Sequence, residues 1–330
     1  MLKALVNEAR LQLEITTSGP LLVKAGYATV IGADMAPVET YRNGRKEVYL
    51  PGSSLKGIFR SHSEKVINSI KPQVACNPFQ GANDAGDNLY RRFCGAQFNN
   101  RDLSHDVYAG SCPTCRIFGS TEFAGRLAIQ DAYLLEDDTT RSLIEHRDGV
   151  GIDRLTGGAK PGAKFDMETV TAGTTFSTLL HLRNFEIWQL GLLFVIIQDM
   201  EDELIRIGSG RSRGLGKVTA RISEREEGSH RGGVVLSTIR TGQESREPEH
   251  ELWGLGPWLA NEAALYDTRR EDVLTLSPAM PHTPHGIRNL RVFKGAALDN
   301  LREQCIEDFV TRIQEWINAQ PAPTATRQRG

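Results

Sequence analysis

Twice along this chain, a stretch that alternates apolar and polar residues gives way to one whose apolar residues recur every three or four positions. Leu11, Leu13 and Ile15 alternate with polar neighbours across residues 10–17, the two-residue period of a strand with one buried face. A loop from Gly26 to Pro37 follows, and Val48, Tyr49 and Leu50 form a short second strand ended by Pro51-Gly52. Leu55, Phe59, His62, Val66 and Ile70 then trace one helical face, with Ser53 or Ser54 available as its cap. The same change returns at Thr174 to Leu182, a strand, followed by Ile187, Leu190, Phe194, Ile197 and Met200 at helical spacing with Asn184 as cap. Arg126 to Leu135 and Val218 to Ile222 add further strands. The order strand, helix, insertion, strand, hairpin, strand, helix, strand predicts an α+β chain built on a modified ferredoxin-like, RRM-like sheet.

Three segments depart from this alternation. Residues 72–120 are rich in Asn, Gly and Asp and hold four of the five cysteines, so they read as an insertion that depends on a metal to stay folded. Residues 146–175 hold a Gly/Lys/Arg segment with too few apolar residues to bury, and Gly157-Gly158 within it closes a β-hairpin that should project. Residues 1–226 are assigned to the ferredoxin-like domain and 227–320 to a partly helical C-terminal extension that packs on the core or on a neighbour. In that extension Leu298, Leu301, Cys305, Phe309, Ile313 and Ile317 share a helical face, and Cys305 reads as a small buried hydrophobe. Residues 321–330 are expected to be disordered.

Charge narrows the possible partners. Lys and Arg total 39 against 41 Asp and Glu, a net charge of −2, so a nucleic-acid surface has to be a local patch. The first residues lack the features of a signal peptide, and no apolar run reaches the roughly 18 residues that span a bilayer. A cytoplasmic protein without membrane contact is expected, and in that reducing compartment cysteines are read for metal or catalysis before disulfides.

Cys76, Cys94, Cys112 and Cys115 offer a CxxC knuckle plus two further thiolates, a tetrahedral Zn2+ set that would be closed and structural. Two readings stay open beside it: a redox CxxC pair, and His105 in place of one cysteine. The loop Ile207 to Gly216 interleaves glycines with Arg211 and Arg213, a structural turn or a grip on phosphate. Leu50 to Gly57 presents a helix N-terminus with Ser53, Ser54 and Lys56, either a plain capped helix or a second phosphate site.

Five motifs in order, PGSSLKG at 51–57, CRIFGS at 115–120, RLAIQDA at 126–132, GIDRLTGGAKPGAKFDMETVTAGTTF at 151–176 and GSGRSRGLGKV at 208–218, resemble the RAMP superfamily. Within it the likeness is to the repeated Csm- and Cmr-type backbone subunits of type III CRISPR effectors, and the cysteine insertion makes it similar to zinc-containing type III-D members. The likeness covers about residues 10–222. It implies a palm with a guide RNA groove, a thumb at 146–175 that wedges the guide–target duplex, and, as partners, guide crRNA, target RNA and neighbouring RAMP subunits. RNA contacts implied are Ser53, Ser54, Lys56, Arg60, Arg147, Arg154, Lys160, Lys164, Arg211 and Arg213. Cleaving members carry an aspartate after the first strand, just upstream of a proline and valine. Asp34 in Gly32-Ala33-Asp34-Met35-Ala36-Pro37-Val38 takes that place, with a divalent cation such as Mg2+ as the implied helper. Asp34 as a turn residue, a non-cleaving structural subunit, and an autonomous zinc-containing RNA module remain alternatives. His62 is either a base or a satisfied core histidine.

Overall fold

The computed structural model describes residues 4–26, 33–78, 93–98, 102–135, 143–226, 231–240 and 246–318. The tail expected to be disordered and parts of the 72–120 insertion lie outside them. In chain order the elements are β1 (Asn7–Thr17), β2 (Glu39–Arg42), β3 (Arg45–Val48), α1 (Gly52–Ile70), α2 (Ser104–Gly110), α3 (Pro113–Phe118), β4 (Leu127–Ile129), β5 (Tyr133–Leu134), β6 (Ile144–Ile152), β7 (Ala159–Val170), β8 (Thr175–Arg183), α4 (Ile187–Glu201) and β9 (Val218–Ile222). They continue with β10 (Val234–Ile239), β11 (Glu251–Trp253), α5 (Gly256–Leu259), β12 (Val273–Thr275), β13 (Thr283–His285), β14 (Arg288–Phe293) and α6 (Gly295–Asn318).

The alternation in β1 places Ala9, Leu11, Leu13 and Ile15 on one face, each fully buried. That face packs with Phe59 of α1 and with Leu190, Leu193, Phe194 and Ile197 of α4 in the main core. β1 pairs with β8 on one side and with β9 on the other, and β8 carries β4 and β5 on its far edge, all antiparallel. The order β9-β1-β8-β4 is that of the split βαβ sheet, so the α+β ferredoxin-like expectation is met. β9 lies along Leu13–Thr17 while β10 takes the same edge over Asn7–Leu11, and β14 and β13 extend the sheet beyond it. α6 buries Leu298, Leu301, Cys305, Phe309 and Ile313 in the same core, as its periodicity predicts.

Several local expectations are corrected. The buried face of α1 is Leu55, Phe59, Ser63 and Ile67, one position on from the His62, Val66, Ile70 row, and Ile70 is exposed. Ser63 is accommodated because its hydroxyl donates to the Phe59 carbonyl at 2.8 Å. Neither Ser53 nor Ser54 caps α1: Pro51 is its N-cap, and the Gly52 N–H donates to Asp131 Oδ1 at 2.7 Å. α4 is capped by Glu186 through a reciprocal capping box with Gln189, whereas Asn184 stands in the left-handed region and ties down the N-terminal segment at Ala4 and Val6. Gly157-Gly158 closes the β6–β7 hairpin as the last two residues of a six-residue loop, tied by Asp153 N–H to the Gly158 carbonyl at 2.8 Å. A hairpin of β2 and β3 precedes α1, and Asn43-Gly44, both at positive φ, is the turn signal that marks it.

The sheet face away from the helices carries Glu8, Arg10, Gln12 and Glu14 of β1 beside apolar Leu179 and Val235. Glu8 on it accepts from His181 Nε2 and from Arg288 Nε, both at 2.8 Å. Burial alone would raise its pKa, but these bonds outweigh it and hold the carboxyl down to about 2. The folded value lies below the unfolded one of 4.5, so the stabilisation is complete above pH 4.5 and drains away as pH falls toward 2. Urea unfolding of Glu8→Gln should therefore be less pH-dependent than the parent in that window. Parallel profiles would remove Glu8 from the acid response.

Candidate nucleic-acid interface and metal centre

Three segments deliver one cysteine cluster. Cys76 follows α1, where the Asn68 side chain fixes the Ala75 backbone; Cys94 opens a short 3-10 turn, Cys112 is the N-cap of α3, and Cys115 lies in its first turn. Their four sulfurs lie within 4.8 Å of one another and all four residues are buried, with Cys76 and Cys115 Sγ at 3.5 Å. Sulfurs on a tetrahedral zinc stand about 3.8 Å apart, given Zn–S bonds of about 2.3 Å. Backbone N–H groups of Cys112 and Cys115 donate to Cys94 and Cys112 Sγ at 3.2 and 3.5 Å. Burial would raise the Cys112 thiol, but hydrogen bonds from Cys115, Cys76, Cys94 and Thr114 hold it well down, while Cys112 in turn pushes Cys94 and Cys115 up. Four sulfurs this close ionise together only around a cation, so the cluster can hold a metal such as zinc. His105 is not among the clustered ligand atoms; it pairs with Asp106 at 3.3 Å and meets the Tyr266 ring.

Arg60 belongs to this cluster. Its guanidinium donates to Cys115 Sγ at 3.3 Å, to the Gly119 carbonyl at 3.0 Å and to Glu64 at 2.9 Å. The expected RNA contact at Arg60 is therefore committed to the cysteine cluster, Glu64 and the Gly119 carbonyl, where its charge would offset that of the sulfurs once they hold a metal. Lys56, one turn before it, is half buried, and burial followed by the charge of Arg60 lowers its pKa. The N-terminus of α1 already takes the Asp131 carboxylate at Gly52, which weakens the case for a phosphate there.

A groove of about 470 Å³ joins α1 to the glycine-arginine loop. Ser54 and Arg211, expected from sequence, line it together with Lys24, Lys65, Arg206 and His62, and no carboxylate lies among its described lining residues. The loop reaches the groove because Gly208 packs against the Leu22 carbonyl and Gly216 against the Ile207 carbonyl, where an added Cβ would come within 2.3 and 2.1 Å. Arg206 Nη1 donates to the Arg211 carbonyl at 3.0 Å and fixes the loop from outside. His62 is held by Asp199 at 2.5 Å, a paired half-buried residue rather than a core histidine.

β6 and β7 form the long hairpin. Its exposed end carries Arg154, Lys160 and a 97 % exposed Leu155, while Arg147 and Lys164 pair with Glu145 and Asp148 along its length. At its foot Met167 and Phe165 pack with Leu22, Met35 and Leu215, and Arg213 lies over the Phe165 ring at 5.6 Å. Asp34 joins the same foot. Its backbone N–H donates to Asp166 Oδ1 and its Oδ2 accepts from the Asp166 N–H, both at 3.2 Å, and the Met35 carbonyl accepts from Glu168 N–H at 2.8 Å. Both carboxylates are exposed, and the Asp34 N–H holds Asp166 below the usual carboxylate range. Groove, hairpin foot and Asp34 thus converge through Leu22 and Leu215.

The model of the RAMP superfamily matches residues 14–219, from β1 through β9. The chain belongs to the RAMP superfamily. RAMP domains occur in subunits of type III CRISPR complexes and bind RNA, guide crRNA and partner subunits included. No curated protein matches the chain. Within the RAMP domain, Lys24, Lys65 and Arg206 stand outside the quoted motifs, and Asp166, though inside the 151–176 motif, gains its place only through its pairing with Asp34; the fold gathers them. Among the described residues no helix is long and apolar enough to cross a membrane.

Proposed function

We propose that this RAMP protein is a guide-RNA-binding backbone subunit of a type III CRISPR effector complex, of the zinc-containing kind, and that it cleaves target RNA paired to the guide. The observation that carries the reading is the carboxylate-free groove, where Lys24, Lys65, Arg206 and Arg211 converge on a protein whose overall charge is negative. Such a lining grips the sugar-phosphate chain without reading bases, as suits a protein whose specificity resides in pairing to the guide. The hairpin stands beside it with Leu155 at its tip, an apolar wedge for a stacked duplex, and Arg154 and Lys160 ready for phosphates.

Where the wedge parts the duplex, a 2′-hydroxyl can align with its own phosphate. Asp34 then accepts the proton, or Asp34 and Asp166 together hold a divalent cation such as Mg2+, for which two exposed carboxylates are suitable hard ligands. A second reading, a subunit that binds without cutting, is favoured by one fact: the Asp34 carboxylate also serves its own turn by accepting the Asp166 N–H.

Natively purified complex should contain RNA. Arg211→Ala and Lys65→Ala should each weaken binding equally for unrelated guide sequences and reduce the salt dependence by somewhat under one unit of the logarithmic slope. Filter binding across a salt series measures both quantities, and a loss confined to one guide sequence would mean base reading and count against the groove.

A further inference from the structure

A second, roomier cavity among the described residues lies on the other side of the sheet. It holds about 1130 Å³ and is lined from β1, β8, β13, β14 and the start of α6. Its β1 residues, Glu8 and Arg10, alternate with the Ala9 and Leu11 of the core, so this space is separated from the RNA groove by the thickness of the sheet. The RAMP match ends at residue 219, yet Arg231, His285, Arg288, Leu290, Val292 and Lys294 of this lining come after it. The cavity is thus a joint product of the palm and the extension.

Its chemistry is that of an anion site with an apolar floor. Arg10, Arg231, Arg288 and Lys294 supply four permanent positive charges against Glu8 and Glu226. Glu8 orients two of the donors, His181 and Arg288, and Lys294 meets Glu226 at 3.2 Å. Arg10 and Arg231 also line a small adjoining cavity, with Leu179 shared between the two; among the described residues Arg231 lies 3.5 Å from His285 Nδ1, a long contact. Leu179, Met280, Leu290 and Val292 give the floor its apolar surface. No aromatic side chain lines it, so the stacking rows with which an RRM-type sheet face holds single-stranded RNA are missing from its described lining.

We infer that this cavity binds a phosphate-bearing small molecule, a nucleotide, with Arg10 and Arg231 forked onto its phosphates and its base laid on the Leu179 and Val292 floor. Arginine suits this because its planar donors meet phosphate oxygens two at a time. A cavity of this size takes a whole nucleotide and excludes a duplex.

Calorimetry of the full chain with ATP, inorganic triphosphate, a short single-stranded RNA and a glutamate-rich peptide tests the inference. ATP should bind, triphosphate should displace it, and Arg10→Glu and Arg231→Glu should each weaken binding roughly ten- to hundredfold while guide RNA binding and melting temperature hold. Leu179→Lys, which puts a charge on the floor, should weaken ATP more than triphosphate. Absence of ATP binding, affinity that survives both arginine substitutions, or preferential binding of the RNA or the peptide at this cavity would overturn it.

Discussion

Stripping the metal from the four-cysteine cluster should collapse residues 72–120 and carry much of the palm with it. Structural zinc contributes an apparent ~10–16 kcal/mol to small sites, as much as the roughly 5–15 kcal/mol that stabilises a whole domain. The insertion is also not separable from the core: Ile117 and Phe118 of α3 and Ala75 beside Cys76 are members of the main hydrophobic cluster. Elemental analysis should find about one zinc per chain, and Cys112→Ser and Cys115→Ser should abolish it, with cleavage by added protease appearing first within 72–120. A metal-free preparation with unchanged melting temperature would eliminate the metal from the account. The Arg60 guanidinium adds a finer test: Arg60→Met should leave guide RNA binding intact and loosen the metal about ten- to hundredfold, as loss of an outer-shell partner does.

Replacing Asp34 with alanine should lower target cleavage by roughly two to four powers of ten, the range of a general base, and leave guide and target binding in place. The pair Asp34 and Asp166 sharpens the experiment. If Asp34 acts on the RNA, Asp34→Asn, which keeps an acceptor for the Asp166 N–H, should be as inactive as the alanine variant. If Asp34 only braces the foot of the hairpin, the asparagine variant should cut normally and the alanine variant should bind target less well. Single-turnover cleavage by assembled complex, read beside target affinity, separates the two outcomes.

The alternating row of β1 and the apolar rows of α4 and α6 were legible because burial on one face imposes a period that the residues must obey. The start of α1 was not legible from capping rules: Asp131, 79 residues away in the chain, supplies the oxygen that Ser53 or Ser54 would have offered. Periodicity likewise placed His62 in the core row, whereas the helix turns Ser63 inward and gives His62 to Asp199. The cysteine set was visible as residue types before any coordinate, and the fold gathers the four sulfurs without His105. Arg60, by contrast, looked like any cation on a helix next to a phosphate motif, and nothing local announces that its partners are a thiol and the Gly119 carbonyl. Lys24, Lys65 and Arg206 share a groove because three distant segments meet, a fact about tertiary structure alone.

One edge of β1 is divided between two neighbours, β9 along Leu13–Thr17 and β10 along Asn7–Leu11. A chain cut after the family-matched portion would lose β10 and leave the first half of its central strand with open amides and carbonyls, a template for pairing with any extended segment nearby. The residues beyond the RAMP match thus occupy an edge of the central strand that would otherwise be open, and a minimal piece that keeps Val234–Ile239 should aggregate less than one cut before it.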